Sequence, residues 1–350
     1  MRKTRLHPDW DFASVASKVK LDSEKVLLHY LSVLLLFYGN WKGSELENIK
    51  METDKFRSPR YRRSCYREFG IPKKSGGQRI ICAPCPKLRS LQSGLADVLT
   101  GRYFISASAH GFAPGRSVVT NASPHVGHNY VFNTDIRDFF PSITGRRVLG
   151  ALERRGIPRD TALFIRDICC FEAAPDGDLP DLVLPQGAPS SPVLSNLVCA
   201  PMDRRLEGLA RRFALTYTRY ADDITFSGSR NVFAPGSEFR AELDRILSDS
   251  GFVRNEAKTR LQKRGDRQEV TGLTVCEKVN VSRAYVKNLR AAIFQMEMYG
   301  FDKKEYRSVK GRLEYLGMVR GKDDPAYLKL RARLLSVRRN VQGFLNEHYE

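Results

Sequence analysis

Two adjacent carboxylates, Asp222 and Asp223, sit inside the run Tyr217-Thr-Arg-Tyr-Ala-Asp-Asp-Ile-Thr-Phe226. Thr218, Tyr220, Ile224, Thr225 and Phe226 favour strand, and Ala221-Asp222-Asp223 favours a turn, so the run reads as a β-hairpin. Paired carboxylates at an apolar hairpin tip repel each other, and burial adds to that cost. A cation between them offsets it. Hard carboxylate oxygens suit Mg²⁺, which takes one or two carboxylates and completes its shell with substrate phosphates. The alternative is a solvated Asp-Asp turn.

A third carboxylate, Asp135, lies 87 residues before Asp222. Val131, Asn133 and Asp135 alternate with Phe132, Thr134 and Ile136, a strand that delivers Asp135 at its end. Asp138 reads as a turn or cap, Pro141 ends the strand region, and Thr144 suits the cap of a following helix. Ile71-Pro-Lys-Lys74 and Arg79-Ile-Ile81 read as strand ends joined by a Ser75-Gly-Gly77 turn. That hairpin brings Lys73 and Arg79 to one surface, where two cations suit a triphosphate; a solvated basic hairpin is the plainer reading. The stretch Leu184-Pro-Gln-Gly-Ala-Pro-Ser-Ser-Pro192 is built of small residues that let backbone lie close to a ligand. It holds Gln186 at a tight turn, and Pro192 opens a helix running to Leu209.

Other elements frame these residues. A helix is expected from Asp22 or Ser23 through Leu35, and another over Lys87 to Leu99. Helices are expected around 145–170, followed by an exposed acidic loop from Ala173 to Leu184. Phe239 to Leu247 is amphipathic, Gly251 to Thr259 enters a strand, and Glu269 to Val275 reads as one short strand. Three helices follow, beginning at Ser282 and covering Tyr306 to Leu316 and Tyr327 to Phe344. Tyr299, Tyr306, Tyr315 and Tyr327 offer stacking surfaces or core packing. His125 alone suits a hydrogen-bonded structural role.

The chain of 350 residues has a formal charge of +19 and a sequence pI near 9.7, which points to a polyanionic partner. The bias is local: residues 54–103 carry 12 Lys/Arg against 3 Asp/Glu, and residues 276–350 carry 16 against 9. Nucleic acid fits better than membrane, because the longest apolar run, 26–38, is interrupted and too short to span a bilayer. With no secretory pattern at the start, the expected location is the cytoplasm. The seven cysteines are an odd number in a large chain, which argues against a disulfide framework. Cys82-Ala-Pro-Cys85 has metal-site spacing without a second pair.

Taken in order, Asp135-Ile-Arg-Asp-Phe-Phe-Pro-Ser-Ile143, Gln186-Gly-Ala-Pro-Ser-Ser-Pro192 and Tyr220-Ala-Asp-Asp223 resemble the signature of reverse transcriptases. The resemblance covers about residues 60–340. Asn121-Ala-Ser-Pro-His125 and Val270-Thr-Gly272 are similar to two elements of the bacterial retron type. The resemblance implies an α+β right-hand polymerase with basic fingers, a palm of antiparallel ferredoxin-like sheet plus helices, and a helical thumb. The expected divisions are an N-terminal helical extension over 1–53, fingers over 54–110 and palm over 111–145. A helical insertion over 146–184, the second part of the palm over 185–275 and a thumb over 276–350 complete the chain.

The implied reaction is in-line attack of a hydroxyl on the α-phosphate of a dNTP, with two Mg²⁺ ions about 3.5–4 Å apart. Asp135 and Asp222 would bridge both ions, with Asp223 either a ligand or just behind them. Lys73 and Arg79 would grip the triphosphate, and Gln186 and its loop would line the nucleotide pocket. Phe140 matches the position that excludes a ribose 2′-hydroxyl. Lys258 would contact primer or triphosphate, with a salt-bridged surface lysine as the alternative. RNA contacts are expected from Asn121, His125, Arg116, Val270, Thr271 and Gly272, and from the thumb residues Lys287, Arg290, Lys310 and Arg312.

The retron likeness further implies a cognate structured non-coding RNA as template, primed from an internal 2′-hydroxyl. The product would be branched RNA-linked DNA, made within anti-phage defence alongside a separate effector protein. Three alternatives stay open: another bacterial reverse transcriptase, such as the intron-encoded or abortive-infection type; an RNA-copying RNA polymerase, for which Phe140 is awkward; and a non-catalytic RNA-binding scaffold.

Overall fold

The computed structural model describes residue 55 and residues 58–72, 76–172 and 182–347, with side chains described to residue 337. The expected helix at 22–35, Lys73, and most of the acidic loop lie outside the described residues. Among those residues, no helix is long and apolar enough to cross a membrane.

After α1 (Pro59–Ser64), β1 (Tyr66–Pro72) and β2 (Gln78–Pro84) pair antiparallel, with Ile71 opposite Arg79. Then come α2 (Pro86–Arg102), the short α3 (Val118–Ala122) and a 3₁₀ turn at Ser123–His125. The central run is β3 (Tyr130–Ile136), α4 (Gly145–Glu153), α5 (Arg159–Cys169), a two-residue pair β4 (Phe171–Glu172) and β5 (Leu182–Val183), and α6 (Ser191–Arg212). Thr144 caps α4 as expected, accepting from the Arg147 amide. Next are β6 (Thr216–Tyr220), β7 (Asp223–Gly228), α7 (Glu238–Asp249) and β8 (Arg254–Lys263). The remainder comprises β9 (Glu269–Val270), β10 (Leu273–Thr274), α8 (Arg283–Tyr299), α9 (Lys303–Arg320) and α10 (Pro325–Glu347).

The main sheet has the order β6-β7-β3-β8, and every neighbouring pair is antiparallel. With helices between β3 and β6 and between β7 and β8, this is the ferredoxin-like βαββαβ arrangement.

Strand alternation divides the sheet into two unlike faces. Phe132, Ile136, Tyr217, Ile224 and Phe226 enter a core shared with α6 and α7. Phe239 of α7 meets Phe132, Phe226 and Phe233 edge-on, with centroids 5.0–5.9 Å apart. Each such contact adds about 0.5–1.5 kcal/mol beyond area burial. The opposite face carries Val131, Asn133 and Asp135 of β3 and Asp223, Thr225 and Ser227 of β7, cross-paired in register. Its far end is closed by a second core, in which Ala122 and Val131 pack with Val270, Leu273, Val275 and α8–α10. The acids are left at its other end.

One expectation is corrected here. Glu269 to Val275 is not a single strand but a tight hairpin of β9 and β10, with Thr271 (φ 47°) and Gly272 (φ 78°) at the turn. Two successive left-handed residues reverse the chain in the hairpin-turn manner, and the glycine takes this at little cost.

Candidate active site

Alternation puts Asp135 on the open face, and the β3–β7 register sets it directly opposite Asp223. Facing Cβ atoms in such a pair lie about 4.5–5.5 Å apart. The two-residue turn Ala221-Asp222 delivers the third acid, and the Ile136 amide donates to the Asp222 carbonyl at 3.0 Å. Residues 87 apart in sequence thereby meet at one sheet edge.

The acids are half-buried and share charge. Burial, together with the charge of Asp135 and a hydrogen bond to its carboxyl, pushes the Asp222 carboxyl up. Burial, then the charges of Asp222 and Asp135, raise Asp223 to about 7, while Arg260 and Lys258 pull it back. The β3–β8 pairing explains how Lys258 gets there. Asn133 faces Arg260 and Asp135 faces Asn255, so residues 256–259 bulge out of β8. From that bulge Lys258 Nζ reaches Asp135 Oδ2 at 3.0 Å, while Asn255 Nδ2 lies 3.4 Å from Oδ1. Asn133, Thr134, Asp135, Asp223, Ala257, Lys258 and Arg260 line a cavity of about 310 Å³.

Among the described residues, no three His, Cys, Asp or Glu side chains are preassembled as a metal cage. The donor set nevertheless fits a hard divalent ion. Carboxylates held close enough to raise one another's proton affinity are relieved by such an ion.

A second cavity, of about 480 Å³, is lined by Phe112, Phe140, Arg89, Ser93 and the loop over 187–192. Phe140 is half-buried, 5.3 Å from Phe139 and 6.4 Å from Phe112 between ring centroids. The Gln186 carbonyl accepts from the Cys82 amide at 2.8 Å, which ties this loop to β2. At Gly187 (φ +122°) a Cβ would lie 2.8 Å from Ile81 Cγ2, so the close approach requires glycine. Arg79 is exposed on β2.

Sequence reasoning did not single out Phe112, Arg89, Asn255 or Arg260. Phe112 lies in the glycine-punctuated loop His110–Ser117, which suits close backbone approach, and it takes a left-handed φ of 59°, a strained setting for an aromatic residue that only the structure shows.

Gly111 packs so tightly that a Cβ would lie 2.4 Å from the Ala221 amide nitrogen. Gly111→Ala should therefore displace the hairpin tip and lower turnover by about tenfold or more with the fold retained. Single-nucleotide incorporation together with thermal melting checks this.

Several expected RNA contacts are corrected. Asn121, His125 and Val270 are buried, so their side chains meet protein. His125 lies 2.7 Å from Ser227 Oγ and 2.8 Å from Thr218 Oγ1, bracing the β6–β7 hairpin on the sheet face that carries the acids. Asn121 Nδ2 lies 3.4 Å from Thr271 Oγ1, which links the two retron-like elements to each other. The Arg116 guanidinium binds the carbonyls of Ser106, Ala107 and Ala109 and orders its own loop. Gly272, Lys287, Arg290 and Lys310 are exposed, while Thr271 and Arg312 are half-buried. Of the four tyrosines, Tyr299 is exposed and Tyr327 is buried.

Burial, with neighbouring His128 and His110, lowers His125 to about 3 from 6.5, so it stays neutral in the fold. The unfolded chain gains that proton below about 6.5 and the folded chain does not, so stability should fall as pH drops from there toward 3. Denaturant midpoints against pH should show this slope, reduced in His125→Asn.

The chain matches the family model described as "Reverse transcriptase (RNA-dependent DNA polymerase)" over residues 71–319. It is 41% identical to the retron Mx65 reverse transcriptase of Myxococcus xanthus, covering 75% of this chain and 63% of that protein. It is 35% identical to the retron Mx162 enzyme of the same organism, covering 75% and 58%. Against both, the chain spans less than two thirds of the relative's length. With the retron Ec86 reverse transcriptase of Escherichia coli, identity is 34%, covering 73% of this chain and 77% of that protein. A telomerase structure from Candida albicans superposes with a TM-score of 0.44 at 12% identity, covering 79% of this chain and 56% of that one. With its ferredoxin-like sheet and acids at one sheet edge, and with these relatives, the chain belongs to the reverse transcriptase family, in its bacterial retron branch.

Proposed function

We propose that this protein is an RNA-directed DNA polymerase that copies a cognate structured RNA into RNA-linked single-stranded DNA, beginning from an internal 2′-hydroxyl of that RNA. The observation that carries the reading is the meeting of Asp135, Asp222 and Asp223 at the edge of the open sheet face. The cavity that holds Phe140 and the glycine loop is reached five residues along the chain from Asp135.

In this reading Asp135, Asp222 and Asp223 hold two Mg²⁺ ions. When bound, the ions supply charge stabilisation to the attacking and leaving oxygens. Lys258 and Arg79, with Lys73, neutralise the triphosphate and hold it against its own repulsion. Phe140 presents a ring edge or face to the sugar and leaves no room for a 2′-hydroxyl. Gly187 lets the loop backbone lie tight against β2 where the loop lines the nucleotide cavity. We assign the β1–β2 region to the fingers, the four-stranded sheet with α6 and α7 to the palm, and α8–α10 to the thumb. Lys287, Arg290, Lys310 and Arg312 then grip the duplex backbone, so RNA affinity falls as salt rises. The wider setting, anti-phage defence with a separate effector protein, is proposed on family resemblance alone.

The test is to purify the full chain with whatever RNA accompanies it, sequence that RNA, and supply dNTPs with Mg²⁺. DNA that stays covalently attached to one RNA nucleotide after ribonuclease treatment is the expected product. Unattached DNA would favour another type of bacterial reverse transcriptase. A complex that incorporates no dNTP would be an RNA-binding scaffold.

A further inference from the structure

A fully buried ion pair, Arg219 with Asp203, stands behind the hairpin and takes no part in the chemistry above. Asp203 and Asn196 lie two turns apart on α6, and Tyr217 and Arg219 alternate onto the matching face of β6. The guanidinium is almost fully used. Nε donates to Asp203 Oδ1 at 2.7 Å, and Nη2 donates to Asp203 Oδ2 at 2.8 Å and Asn196 Oδ1 at 3.0 Å. Nη1 donates to the Ala221 carbonyl at 3.0 Å. Tyr217 adds its hydroxyl to Asp203 Oδ1 at 2.8 Å, and Asn196 Nδ2 donates to the Gly111 carbonyl at 3.0 Å.

Packing alone does not account for this pair. Two apolar side chains of similar volume commonly fill such a space with equal or better stability, because they avoid desolvating two charges. They would not reach the Ala221 carbonyl. Ala221 stands at φ 58°, a left-handed backbone that a residue with a Cβ keeps only when its surroundings impose it, and Asp222 is the next residue. A planar guanidinium can bond a carboxylate along one edge and a carbonyl at the other, which an ammonium cannot do. The elements around the pair also join neighbouring loops. Helix α6 begins directly after the 186–190 segment, Asn196 holds Gly111, and the Arg219 amide and carbonyl bond Ser108 and His110 at 2.7 Å each.

We propose that Arg219 is a positioning residue for polymerisation: through the Ala221 carbonyl it sets the backbone from which Asp222 reaches the metal. The inference rests on the metal-dependent polymerase reading above and deepens it. Two variants test it in the full-length protein. Arg219→Lys keeps the charge opposite Asp203 but loses the fork. Arg219→Met combined with Asp203→Leu removes both charges and keeps the volume. Thermal melting, kcat and KM for one dNTP, and Mn²⁺ binding without nucleotide are measured for each.

The expected result is a folded variant with kcat lowered about tenfold to a hundredfold, KM changed little, and Mn²⁺ bound more weakly. A folded variant whose kcat and Mn²⁺ affinity stay within about twofold of wild type would overturn the proposal. So would collapse of both variants, which assigns the pair to folding alone. Wild-type protein that binds Mn²⁺ yet adds no dNTP would sink the polymerase reading, and the Mn²⁺ affinities would still judge Arg219.

Discussion

Asp222→Asn should lower nucleotide incorporation by about a thousandfold or more while the protein stays folded, because it removes a group the reaction depends on directly. The metal-free variant should also melt at a higher temperature than wild type. Asp222 is held up by burial and by Asp135, and the amide ends that repulsion. A loss of activity with no gain in melting temperature would mean that the carboxylates are not strained against one another. The pH dependence follows with its sign. Asp223, raised to about 7 from 3.8, keeps its proton in the folded state across a range where the unfolded chain has lost it. Its contribution to stability therefore declines as pH climbs from about 4 to 7. A divalent ion must displace that proton, so metal affinity should rise with pH to about 7 and level off beyond it. Calorimetric titration with Mn²⁺ across that range checks both the direction and the plateau.

Phe140→Ala should raise the use of ribonucleotides relative to deoxyribonucleotides by about a hundredfold, since one steric contact of this kind is typically worth one to two orders of magnitude. The ring is backed by Phe139 and faces Phe112 across the cavity, so it has little freedom to swing aside. Truncation should open the sugar side of the cavity without unseating the main core, because Phe140 packs only at the core's margin. Competing dNTP and rNTP incorporation on one template gives the ratio. A ratio unchanged in Phe140→Ala but relaxed in Phe112→Ala would move the gate to the other ring.

What the residue pattern revealed, and what it hid, follows from the range of each interaction. The β6–β7 hairpin, the strand that ends near Asp135 and the cap at Thr144 are local, and their periods and turn chemistry are written in a few neighbouring residues. The Glu269–Val275 hairpin reads as one strand in sequence because its turn is a single Thr-Gly step between Val270 and Leu273. The motif resemblance points His125 and Asn121 toward RNA, yet their partners are Ser227, Thr218 and Thr271, about 90 to 150 residues away. Nothing in the residues around Arg219 marks it out. Only the meeting of α6 with β6 shows that Asp203 and Asn196 are waiting for it.

Strand β3 sends Phe132 into one core and its neighbour Val131 into the other. The C-terminal helices thus belong to a core that closes the far end of the same sheet face as Asp135, rather than to an appendage hinged beside it. A chain cut short before α8 would bare an oily sheet surface and should clump during expression. Silence from such a fragment would report damaged folding, and would say nothing of how those helices hold a duplex.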